Sequence, residues 1–143
     1  MNRIGAVVRL AEGLQADDTA FRSLRELLEA QFHAALRHQS AELTGLSGRI
    51  TALCEEIETR RKERVALVDL LEPGQDGVEQ RIRRMLSRLP EPHARAALSA
   101  WRALEELVLE CKSLNVRNCK LMMDQFDIMQ RVLATGDETY APA

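Results

Sequence analysis

Residues 43–71 read LTGLSGRITALCEEIETRRKERVALVDLL, and the spacing of their apolar side chains decides the fold. Leu43, Leu46, Ile50, Leu53 and Ile57 step alternately by three and four residues, the seam of a heptad helix. The phase continues through Arg60 and Arg64 to Leu67 and Leu71. Upstream, Phe21, Leu24, Leu28, Phe32 and Leu36 recur at threes and fours. Gly45 and Gly48 each cost about 1 kcal/mol relative to alanine in a helix interior. The seam keeps its phase across them, so the pattern predicts one long helix over 19–71, bent at the glycines. Asp17, Asp18 and Thr19 stand before it as capping residues, and residues 1–17 carry only a weak amphipathic pattern.

EPGQDG at 72–77 is the strongest breaker in the chain. Asp76 followed by Glu79 resembles a capping box, with Asp in place of Ser or Thr. Val78, Ile82, Met85 or Leu86, and Leu89 then form a short amphipathic helix near 77–89, closed by PEP at 90–92. Pro92 suits the first turn of a last helix that runs through Ala94, Leu98, Trp101, Leu104 and Val108 to about 134, with Gly136 as its cap. The polar tail, about 135–143, reads as flexible. The expected fold is all-α: an elongated antiparallel hairpin of two long helices with a shorter third helix, in a single domain over 1–143.

Composition supports this. The chain is 45% hydrophobic but only 3% aromatic, a helical rather than a strand composition. A net charge of −2 gives no global attraction to nucleic acid or membranes. The arginines at 60–64 and at 81–88 are read as a seam interruption and a water-facing patch, with no interleaved aromatics for base stacking. No segment approaches the ~20 apolar residues of a membrane span, and MNRIGAVVRLAEGL is too short an apolar run, cut by Arg9, for a signal peptide. Cys54, Cys111 and Cys119 lack paired spacing and read as small buried hydrophobes in a reducing cytoplasm.

Catalytic and cofactor signatures are missing. No histidine follows a glutamate at the di-iron spacing, and Glu29 with His33 is a surface contact rather than a metal site. No phosphate loop, zinc-spaced set or nucleophile elbow occurs. The sequence points to no enzyme and no cofactor.

One stretch exceeds what a hairpin needs. Between 108 and 132 a stripe of Cys111, Leu114, Asn118, Leu121, Gln125, Ile128 and Val132 runs beside a second track of Val108, Met122, Phe126 and Met129. As core, it would use Asn115 and Asn118 to fix register. As a docking face, it would offer adaptable methionines and amides to an amphipathic partner helix. Both readings stand on the sequence. A client-free oligomeriser would instead cover this face with a symmetric copy, as a homodimer.

The segments LRELLEAQFHAAL (24–36) and LSGRITALCEEIETRRKERVALVDLL (46–71), with NVRNCKLMMDQFDIMQRVL (115–133) and TYAPA (139–143), resemble the FlgN-type flagellar export chaperones. Asn115 and Asn118 match the family's paired asparagines, Leu121 its apolar position and Tyr140 its tail tyrosine. Cys119 and Ala141 stand where glycine is common. The resemblance implies a cytoplasmic chaperone of type III export that binds the amphipathic terminal segments of hook–filament junction proteins and delivers them to the export gate. It implies client binding by Asn115, Asn118, Leu121, Met122, Gln125 and Met129, and docking of Tyr140 at the gate's cytoplasmic domain. The alternative is another coiled-coil interaction protein: a different secretion chaperone, an apparatus stalk or an oligomerisation module.

Overall fold

The computed structural model describes residues 3–140, with side chains through residue 135. It is all-α: α1 (Arg3–Leu36), α2 (Ser40–Leu71), α3 (Val78–Ser87) and α4 (His93–Tyr140). The helical class and the long antiparallel hairpin are as the sequence predicts, but the hairpin is drawn differently. The stretch 19–71 is two helices, turned at Arg37–Gln39 with His38 in the left-handed region at φ 56°. A non-glycine residue there costs about 1 kcal/mol, and burial of two seams against each other outweighs it. Gly45 and Gly48 lie within α2, where an added Cβ would meet nothing within 4 Å.

α1 also starts earlier than its capping signals suggest. Val7, Leu10, Leu14, Asp17, Leu24, Leu28, Gln31 and Ala35 are buried at heptad positions, so residues 3–17 are the first turns of the seam. Asp17 caps nothing. It is fully buried in the middle of α1, where Arg60 Nε (2.6 Å) and Arg64 Nη1 (2.5 Å) from α2 donate to its two carboxylate oxygens. Those two arginines keep the α2 seam in phase because a buried carboxylate receives them.

α1 is the central helix. It packs along both α2 and α4, whereas the backbones of α2 and α4 hardly approach each other among the described residues. At the closed end, Val7, Leu10 and Leu14 meet Val68, Ile82, Met85, Leu86, Trp101 and Leu104, so α3 plugs the base of all three long helices. A second cluster joins Leu24 and Leu28 to Leu107 and Cys111. Fully burying a leucine such as Leu28 stabilises by about 1.5–3 kcal/mol.

Of the basic patch on α3, Arg83, Arg84 and Arg88 are exposed as expected, but Arg81 is not turned to water. Arg81 is buried and donates to Asp69 at 2.8 Å, while Arg84 and Arg88 both donate to Glu72, itself only 6% exposed. Asp76, read as a cap, instead pairs with Arg84, and Gly77 precedes α3 without a side-chain cap. Gly136 does not end the last helix, since α4 continues to Tyr140. Of the tail read as flexible, 135–140 has helical backbone and 141–143 lies outside the described residues.

Removing Asp17 takes the carboxylate from Arg64 and leaves Arg60 with only its exposed partner Glu56. Asp17→Ala is expected to destabilise by about 3 kcal/mol, lowering the melting temperature by roughly 10 °C, as read by circular dichroism. Glu72 supplies an acid limb. Hydrogen bonds from Arg88 foremost, against the opposing effect of burial and with help from Arg84, hold its carboxyl below the usual range. Its stabilisation is therefore complete above the ordinary glutamate pKa and is lost as pH falls through the lower folded value. Chemical denaturation across that window should show a flatter acid limb in Glu72→Gln.

Candidate functional site

α4 is fixed on α1 by a ladder of side chain to backbone hydrogen bonds. Cys111 Sγ donates to Phe21 O at 3.5 Å, Asn118 Nδ2 to Leu28 O at 2.7 Å, and Gln125 Nε2 to Ala35 O at 2.9 Å. Each pair is 90 residues apart, and each rung lies one heptad beyond the last. The two helices therefore run parallel in a single register, although α1 and α2 are antiparallel. Cys111 can serve as a donor because burial foremost, with Glu110 nearby, pushes its thiol up to about 11 and keeps the proton on sulfur.

The middle rung is the best satisfied. Asn118 is 1% exposed, and its Nδ2 also donates to Gln31 Oε1 at 2.9 Å. Its Oδ1 accepts from Arg117 Nε and Nη2 at 3.2 and 3.1 Å. Arg117 lies 3.8 Å over the centre of the Phe32 ring and pairs with Glu29 at 3.2 Å. Gln31 in turn donates to Ser47 Oγ on α2 at 3.2 Å, so one polar chain ties three helices together. Buried amides of this kind specify one register because any slip leaves them unpaired.

Beyond Gln125 the cover stops. α1 ends at Leu36, and every described side chain from Phe126 to Thr135 is exposed. The fifteen residues from Phe126 to Tyr140 extend α4 by about 22 Å past the end of α1. Yet the apolar stripe goes on through Ile128 and Val132, with Met129 beside it, all more than half exposed. α4 thus carries one seam in two states, packed up to Gln125 and bare after it.

The predicted site residues divide along that boundary. Asn118 is buried in the ladder and Gln125 is its half-buried last rung. Leu121 and Met122 are half-buried at the edge of the packed zone, and Met129 stands on the bare stripe. Asn115 is exposed and accepts a weak hydrogen bond from Cys119 at 3.8 Å. The backbone of Tyr140 closes α4, and its side chain lies outside the described residues. Sequence reading missed Arg117, Phe32 and Gln31. The clue available was the seven-residue spacing of Cys111, Asn118 and Gln125, three side chains able to donate on one stripe. Among the described residues no group of three His, Cys, Asp or Glu side chains is placed to hold a metal ion. Glu29 is engaged by Arg117.

Asn118→Ala deletes the rung with the most hydrogen bonds and leaves Gln31 Oε1 without this donor. The expected loss is about 2 kcal/mol, read as a lower urea midpoint with an unchanged slope.

No curated protein and no solved structure matches the chain. The family model for FlgN protein, however, matches residues 1–137, which takes in the α1–α2 hairpin, the ladder and the bare stripe together. The chain belongs to the FlgN protein family, the family of flagellar export chaperones.

Proposed function

We propose that the bare end of α4 is the docking face for the amphipathic terminal helix of a hook–filament junction protein, which this chaperone then hands to the export gate. The observation that carries the reading is the seam itself, which α1 covers as far as Gln125 and which continues uncovered through Val132. A continuous apolar stripe on a helix is completed by a second amphipathic helix laid along it. An export client kept unfolded supplies such a helix and gains order only while bound. Met129, Ile128 and Val132 are the contacts, Leu121 and Met122 form the inner edge, and Asn118 and Gln125 hold the helix that presents them. Asn115 lies on the flank, free to hydrogen-bond an incoming chain. Tyr140, near the tip, is assigned to the cytoplasmic domain of the gate, where an aromatic with a polar handle suits a reversible contact.

The test compares two substitutions in the full chain, using a junction-protein C-terminal peptide and the isolated cytoplasmic domain of the gate. Met129→Asp should leave helicity and melting temperature unchanged while weakening peptide binding by at least tenfold, or about 1.4 kcal/mol. Tyr140→Ala should leave peptide affinity intact and reduce binding to the gate domain. Unaltered peptide affinity in Met129→Asp would remove the docking role from this face.

A further inference from the structure

α4 carries a second heptad seam, rotated about 150° from the one that meets α1. Leu109, Val116 and Met123 repeat every seven residues and are 64%, 67% and 66% exposed. Cys119, Phe126 and Leu133 fall between and beyond them at the alternate positions, again exposed. Lys112 and Gln130 complete the three-four spacing. No described helix of the chain covers this seam, so it is a coiled-coil face without its mate.

We infer that the mate is a second copy of the same helix, running antiparallel about a dyad at Leu121. The seam is a palindrome in polarity around that point. Antiparallel pairing sets Leu109 against Leu133, Val116 against Phe126 and Cys119 against Met123, apolar on apolar in each of these pairs. The two polar members, Lys112 and Gln130, meet each other, so the ammonium group gains an acceptor. A parallel pair in register would instead press Lys112 against its own copy. The lysine nearest the dyad, Lys120, keeps its own counter-ion, Asp124, at 3.1 Å. The paired length from 109 to 133 is about 36 Å, and an isologous contact of this kind closes on itself.

A cleft adjoins this seam. Between α2 and α4, over the α1 floor, lies an opening of about 400 Å³ whose α4 wall includes Leu109 and Lys112. Deeper in it the buried Trp101 indole N–H has no hydrogen-bond partner within the chain. The antiparallel mate brings its own bare end, from Phe126 onward, along the mouth of the cleft. The seam is distinct from the face assigned to the client, so the inference stands or falls separately from that reading.

The full chain should sediment as a dimer at micromolar concentration. Met123→Glu should weaken self-association by at least ~100-fold without loss of helicity, since Met123 is two-thirds exposed in its own chain. Disulfide trapping reads the register. With Cys54→Ser and Cys119→Ser in place, the double variant Val116→Cys/Phe126→Cys should form a covalent dimer. Val116→Cys alone should not, because its two thiols would lie about 15 Å apart along the axis. A monomeric wild type, a dimer indifferent to Met123→Glu, or cross-linking by Val116→Cys alone would each overturn the inference. A monomer whose peptide capture depended on Met123 would give the seam to the client instead.

Discussion

Everything distinctive about this molecule depends on the parallel register between α1 and α4. Apolar contacts alone would fix that register poorly, since leucines at heptad spacing pack nearly as well after a one-heptad slip. The ladder removes the freedom. Asn118 sits at the centre of a network in which Leu28, Gln31 and Arg117 all present complementary groups, and no other heptad offers the same set. The register determines where α1 stops along α4, and so which part of the apolar stripe is packed and which is left for a partner.

The closed end solves a different problem. Three long helices meeting at their ends leave an apolar base, and α3 covers it with Ile82, Met85 and Leu86 while its arginines converge on Glu72. Together with the Asp17 pair, this places two carboxylates, each held by two or more arginines, between helices that are remote in sequence. Such arrangements add modest net stability but penalise any packing that separates the partners. The bundle is thus densely tied at its base, whereas the described side chains at the far end of α4 are exposed.

Much of this was readable in the sequence, and the failures have physical causes. The 43–71 seam, the α3 stripe and the start of α4 follow from periodicity and turn residues alone. The turn at Arg37–Gln39 did not, because it lacks glycine and proline and because Leu36 and Leu43 are one heptad apart, so the phase runs through it. Asp17 reads as a cap since aspartate usually is one; only two arginines more than forty residues away make it a core residue. Arg81 of α3 reads as solvated for the same reason, its partner Asp69 lying on α2. At the candidate site the stripe from Cys111 to Val132 was legible. Its division at Gln125 was not, because that boundary is set by where another helix ends.

The constant offset between the ladder's partners makes α4 a helix of two different mechanical kinds. An inserted residue anywhere between Cys111 and Gln125 would turn everything beyond it by about 100° and throw the remaining rungs out of step with α1. The same insertion after Gln125 would disturb no rung at all. It would merely swing the outer stripe round its axis and carry the tip further out. Length and phase in the outer segment are therefore free to drift between relatives and to be tuned to a partner, while the inner segment is geared to α1 tooth by tooth.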